Sequence, residues 1–104
     1  MATMKIQIRR LGRTLTKPQR ARLETQLELV LMRFGQRIGR VSVRLSDAAS
    51  LPGYVRCELE VRVDTELVTV EHSDINLFVA LEHASTRAAR SVGRAIEKQS
   101  WSAR

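Results

Sequence analysis

The sequence predicts an α+β domain of order β-α-β-β-β-α, a four-stranded sheet with both helices packed on one face. Three observations carry that prediction. Four segments alternate apolar and polar residues, and two others repeat apolar residues at helical spacing. Alternation also leaves each strand a single apolar face, which only the two helices can cover. With 104 residues, the chain is read as one domain spanning 1–104. That length supports a hydrophobic core without disulfides or a structural metal, and it leaves no room for a separate catalytic domain.

The first strand is Met4 to Arg9, with Ile6 and Ile8 on one side and Lys5, Gln7 and Arg9 on the other. Arg10-Leu11-Gly12-Arg13 loops out. Thr16-Lys17-Pro18-Gln19 has the spacing of a capping box, in which the Thr16 hydroxyl accepts an amide three residues on and Gln19 reaches back. Pro18 falls in the first turn, where a missing amide breaks no intrahelical bond. The first helix is expected to run to Phe34 on the stripe Leu23, Leu27, Val30, Leu31 and Phe34, with Gly35 as a left-handed stop.

Arg40 to Ser46 alternates next, burying Val41, Val43 and Leu45, and Asp47 to Gly53 is a loop. From Tyr54 to Val63 the set Val55, Cys57, Leu59, Val61 and Val63 interleaves strictly with polar residues, the pattern of a sheet with one covered and one wet face. Asp64-Thr65 turns into a fourth strand over Leu67 to His72. The second helix starts at Ile75 or Asn76 and runs to Gln99, with Asp74 or Asn76 as its cap.

Composition narrows the function. There are 18 Lys+Arg against 11 Asp+Glu, a net charge of +7, and 15 of the basic residues are arginine. Arginine offers phosphate a planar fork of donors, so the surplus suits an RNA or DNA backbone, although an acidic protein or an anionic membrane surface would also fit. Only four aromatics are present, Phe34, Tyr54, Phe78 and Trp101, too few and scattered to stack bases. The lone Cys57 makes no internal disulfide, and the His and Cys residues lack metal-ligand spacing, so no metal or other cofactor is expected. No segment reads as a signal peptide or a membrane span. The expected location is cytoplasmic, with no membrane partner.

The positive charge is patterned. Arg87, Arg90, Arg94 and Lys98 lie within an arc of about 80°, nearly opposite the stripe Leu77, Leu81, Ala88, Val92 and Ala95. Such a stripe is ordinarily a solvated face. Here, however, the residues four positions earlier are His83, Thr86, Arg90 and Arg94, so the usual acidic partners are missing and the line suits an anion. Arg9, Arg10 and Arg13 group at the exit of the first strand, and Arg33, Arg37 and Arg40 at the far end of the first helix. The wet sheet face carries mixed charges. Leu29 and Met32 lie off the core stripe, where they either widen the buried face or form a partner patch. His72 and His83 have no companion motif, and Cys57 is a small core hydrophobe. No nucleophile–base pair or paired carboxylates support catalysis, so the chain is expected to be no enzyme and to take no small-molecule substrate.

The opening Met4-Lys5-Ile6-Gln7-Ile8-Arg9, the segment Leu15-Thr16-Lys17-Pro18 with Arg20 just inside the helix, and Phe34 before Ile38 resemble the ribosome hibernation promoting factor (sigma-54 modulation protein) family. Leu77-Phe78-Val79-Ala80-Leu81-Glu82 looks like that family's second-helix opening, and Arg87, Arg90 and Arg94 fall at its basic positions. The resemblance covers Lys5 to Lys98. It implies a domain similar to double-stranded-RNA-binding domains that binds 16S rRNA between head and body of the small ribosomal subunit and blocks the messenger and transfer RNA sites. RNA contacts are then expected from Arg20, Arg87, Arg90, Arg94 and Lys98, with Arg9, Arg10 and Arg13 outermost. The chain departs from the pattern where the family has lysines in the first helix and this sequence has Gln26 and Leu29. It has Asn76 in place of an acidic cap, and the buried helix stripe includes Ser85. The chain also ends at Arg104, without the further domain of long members, so a short form, or a divergent paralogue with weakened ribosome binding, is expected. The alternative function is a protein-interaction or homo-oligomerisation module, a weak homodimer through Leu29 and Met32. A third is general binding of double-stranded RNA.

Overall fold

The computed structural model describes residues 4–12 and 14–102. Its elements are β1 (Lys5–Arg10), α1 (Lys17–Leu31), a 3-10 segment (Met32–Arg37), β2 (Ile38–Asp47), β3 (Val55–Val63), β4 (Glu66–Asp74) and α2 (Leu77–Ser102). The strands form one sheet in the order β1-β2-β3-β4. β2, β3 and β4 are antiparallel neighbours joined by short connections, whereas β1 pairs parallel to β2. A parallel pair needs a crossover, and α1 with the 3-10 segment supplies it.

Both helices cover one face, as the alternation requires. Leu23, Leu27 and Leu31 of α1 and Leu81, Ala84, Ala88 and Val92 of α2 are buried with Val41, Val43, Leu45 and the whole inward set of β3. Much of the buried stripe of α2 is alanine, which lets its backbone lie close over β3 and β4. The buried Ser85 there is satisfied within the helix, its hydroxyl donating to the Glu82 carbonyl at 3.0 Å.

The caps form as the spacing indicates. Gln19 N–H donates to Thr16 Oγ1 at 3.2 Å while Thr16 N–H donates to Gln19 Oε1 at 3.0 Å. At α2, Asn76 is the cap, its Oδ1 accepting from the amides of Phe78 at 2.8 Å and Val79 at 3.4 Å. Asp74 stands one step further back and accepts from the Asn76 amide at 3.1 Å.

Several boundaries differ from expectation. The α-helical part of α1 stops at Leu31 rather than Phe34, because the chain tightens into the 3-10 segment from Met32 on. Gly35 has φ 59° and ψ −135°, a conformation open to glycine, and it turns the chain into β2. Val30 and Phe34 are consequently only half-buried. β2 begins at Ile38, with a register shift between Ile38 and Val41, and β4 continues to Asp74. Asp64 takes φ 54° in the β3–β4 turn, the left-handed region that Asp tolerates.

Candidate nucleic-acid interface

A helix of 26 residues carries its side chains at fixed angular positions, and α2 uses them on three sides. One side faces the sheet. A second meets α1, where the Arg22 guanidinium lies 3.8 Å from the centre of the Phe78 ring and the Gln26 amide donates to the Phe78 carbonyl at 3.1 Å. The third leans over the free edge of β4, where Arg87 Nη1 donates to the Glu71 carbonyl at 2.9 Å. Arg87, Arg90, Arg94 and Lys98 are all exposed. Their Cα positions span about 16 Å along the axis at the helical rise of about 1.5 Å per residue. The line therefore occupies the flank of α2 turned away from α1.

No carboxylate neutralises its arginines. Among the described residues, Arg90 and Arg94 have no bonded partner, and the single contact of Arg87 is to a backbone carbonyl. Glu97, three residues after Arg94, makes no ion pair with it; pairs that do form among the described residues include Arg37–Asp64, Arg56–Glu58 and Arg56–Glu71. Three guanidinium forks thus face solvent along one stripe, poised for a run of phosphate oxygens.

The other arginine groups do not hold together. Arg9 and Arg10 are neighbours on a strand, so they point to opposite faces: Arg9 is exposed beside Arg44 on the open face, while Arg10 is half-buried beside Leu45 on the covered side. Arg20 Nη1 donates to the Ile8 carbonyl at 2.9 Å, which ties α1 to β1. Arg13 lies outside the described residues. β1 and β4 are opposite edges of the sheet, so Arg9, Arg10 and Arg20 are separated from the α2 line by three strand spacings, about 14 Å in all.

The expected trio Arg33, Arg37 and Arg40 is likewise no cluster. Arg37 is held by Asp64, its Nη2 2.8 Å from Oδ2, and it also donates to Gln99 Oε1 at 2.8 Å. That clamp joins the β3–β4 turn to the end of α2. Arg33 lies over the Phe34 ring at 4.8 Å, and Arg40 is on the open sheet face.

That open face carries mixed charges, as expected, with Arg56 and Arg62 alongside Glu58 and Glu60 on β3 and its more basic part on β1 and β2. Lys5 stands beside Arg40 and Arg9 beside Arg44 in the β1–β2 register, four exposed cations, with Glu58 opposite Arg44 on the other side of β2. The acids Glu58, Glu60 and Glu71 sit on β3 and β4. Like charges directly opposite each other are unfavourable, so the basic half is a second place for an anion. Alternation already turned Lys5 and Arg44 outward, but the pairing of β1 with β2 could not be read from either strand alone.

Two smaller expectations resolve clearly. Leu29 and Met32 are 69% and 63% exposed, so they do not widen the core. His72 and His83 do have a companion, since their rings approach to 4.7 Å beside Asp74. Burial pushes the Cys57 thiol up to about 12, consistent with an inert core position. No helix among the described residues is long and apolar enough to cross a membrane.

No family model matches the chain, and no curated protein matches it in sequence. Solved structures do match. The crystal structure of the N-terminal domain of Thermus thermophilus Protein Y superposes with a TM-score of 0.73 at 28% identity, covering 88% of this chain and 98% of that one. A ribosomal subunit interface protein from Coxiella burnetii superposes with a TM-score of 0.76, covering 90% of this chain and 99% of that one; at 10% identity it speaks for the fold alone.

Proposed function

We propose that the chain, which resembles the ribosome hibernation promoting factor family and shares its fold and 28% of its residues with the Thermus thermophilus Protein Y domain, is a non-enzymatic, ribosome-associated hibernation factor. It docks on 16S rRNA of the small subunit in the cytoplasm and occludes the messenger and transfer RNA sites. The observation that carries this reading is the α2 line, in which Arg87, Arg90 and Arg94 face solvent with no carboxylate partner. Lys98 extends the line. Arg9, Arg10 and Arg20, on the opposite edge, are secondary contacts, and the scarcity of aromatics favours backbone over base recognition.

Cosedimentation with 30S subunits over a salt series tests the assignment. Binding should weaken steeply, with a log–log slope on the order of the number of phosphates neutralised. Changing Arg87, Arg90 and Arg94 together to Glu should leave the circular dichroism spectrum intact and abolish cosedimentation. Unchanged cosedimentation would sink the proposal. Binding to naked duplex RNA at equal affinity would replace it with general double-stranded RNA binding.

A second reading, a homo-oligomerisation or protein-interaction module, is favoured by the exposure of Leu29 at the end of α1 and Met32 just after it.

A further inference from the structure

We propose that His72, Asp74 and His83 form a binding site for a single transition-metal dication of the zinc class. His72 and Asp74 are two apart on β4, so strand alternation turns both toward the helical side, in register with Cys57 and Val55. His83 comes down from α2 onto them. The two rings sit 4.7 Å apart between centroids with planes tilted by 38°, and ligand atoms from all three residues lie within 4.8 Å of one another.

The donor chemistry fits such an ion. Two imidazoles and one carboxylate are the set that borderline divalent cations take in three-ligand sites, leaving a further position for water. Among the described residues, neither imidazole has a hydrogen-bond partner, so their nitrogens are uncommitted. The carboxylate is already oriented, because Asp74 Oδ1 accepts the Asn76 amide at 3.1 Å while its other oxygen makes no described bond. Bonds of about 2.0–2.2 Å place neighbouring ligand atoms roughly 3.3 Å apart, so the shell closes by side-chain rotation of about 1.5 Å. His72 and Asp74 are half-buried and His83 is exposed, which leaves an entry path from solvent. One turn beyond His83, Arg87 donates to the Glu71 carbonyl at 2.9 Å.

An ion here would join the end of β4 to the first turns of α2. It would bind the folded chain and not the unfolded one, so it would raise thermal stability. Nothing in this proposal depends on ribosome binding.

The test uses untagged full-length protein and Zn²⁺ or Co²⁺ alone. One equivalent of Zn²⁺ should be taken up per chain in a calorimetric titration, with an increase in Tm. Co²⁺ should give visible d–d absorption that Zn²⁺ removes. His83→Gln, on the exposed face of the helix, and Asp74→Asn should each weaken uptake at least tenfold while keeping the circular dichroism spectrum. His72→Ala should abolish the cobalt spectrum. No stoichiometric uptake by the natural chain, or equal uptake by His83→Gln and Asp74→Asn, would overturn the site.

Discussion

The two helices cover the same sheet face, α1 with leucines and α2 largely with alanines, and their solvent sides are opposites in chemistry. α2 shows three arginines in a line with no carboxylate bonded to them. α1 and the 3-10 segment after it show Leu29 and Met32 together with Glu24, Glu28, Arg22 and Arg33, with Arg22 and Arg33 held over aromatic rings. The difference teaches that net charge is a poor guide to where an anion binds. What matters is which cations are left without a carboxylate partner after folding, and among the described residues these include the three arginines of the α2 line and Lys5, Arg9 and Arg40 on the open sheet face.

The largest expected effect separates the helices by charge reversal. Arg87, Arg90 and Arg94 changed to Glu should lower 30S affinity by at least about 100-fold, since each lost charge-assisted contact is worth roughly 1.5–3 kcal/mol. Lys17, Arg22 and Arg33 changed to Glu alter net charge by the same amount. If the α2 stripe is the contact, this second variant should lose less than about tenfold, the part due to long-range attraction. Equal losses in the two variants would erase the distinction between the helices.

The interiors beneath the helices differ too. α1 covers with Leu23, Leu27 and Leu31, whose burial does not titrate, whereas β3, beneath α2, contains Cys57. Desolvation raises that thiol from 9.0 to about 12 in the folded chain. A raised acid binds its proton more tightly when folded, so the stabilisation is complete below the unfolded value and is lost as pH rises through the folded one. Between pH 9 and about 12 the natural chain should lose stability steadily, on the order of 4 kcal/mol in total. Cys57→Ala adds a small, constant cavity cost at neutral pH and removes this slope. Urea denaturation of both proteins across that range checks it, and parallel curves would show that the thiolate is not excluded from the core.

Much of this was legible in the sequence for a physical reason. The period of 2 in Tyr54 to Val63 and the stripe Leu23, Leu27, Leu31 report burial directly, because each residue's environment follows from its own element. The capping box at Thr16 and the alternative caps at Asp74 and Asn76 were readable because capping is local. What could not be read required two elements at once. Arg37 looked like a free cation until the fold brought it to Asp64, 27 residues away. Arg9 and Arg10 looked like one group until pleating separated them. His72 and His83 looked solitary because a strand and a helix must pack before their rings meet. The charge line on α2 was visible from the start, since Arg87, Arg90, Arg94 and Lys98 and the positions four before each of them all lie on one helix.

The smallest expected effect tests whether α1 also faces the ribosome. Leu29 is exposed without covering the core, so replacing it with Lys should change stability by less than about 0.5 kcal/mol. If α1 lies along the rRNA, one more phosphate is neutralised. Affinity should then rise a few-fold and the log–log salt slope should steepen by about one. If Leu29 and Met32 instead meet a second copy of the chain, the same substitution places a desolvated ammonium on each side of an apolar contact, which is costly. Sedimentation equilibrium would then show a concentration-dependent mass for the natural chain that is lost in the variant, as it would be in Leu29→Glu. The charge sign discriminates the two cases. An RNA-facing position gains from Lys and loses with Glu, whereas a self-association surface is broken by both.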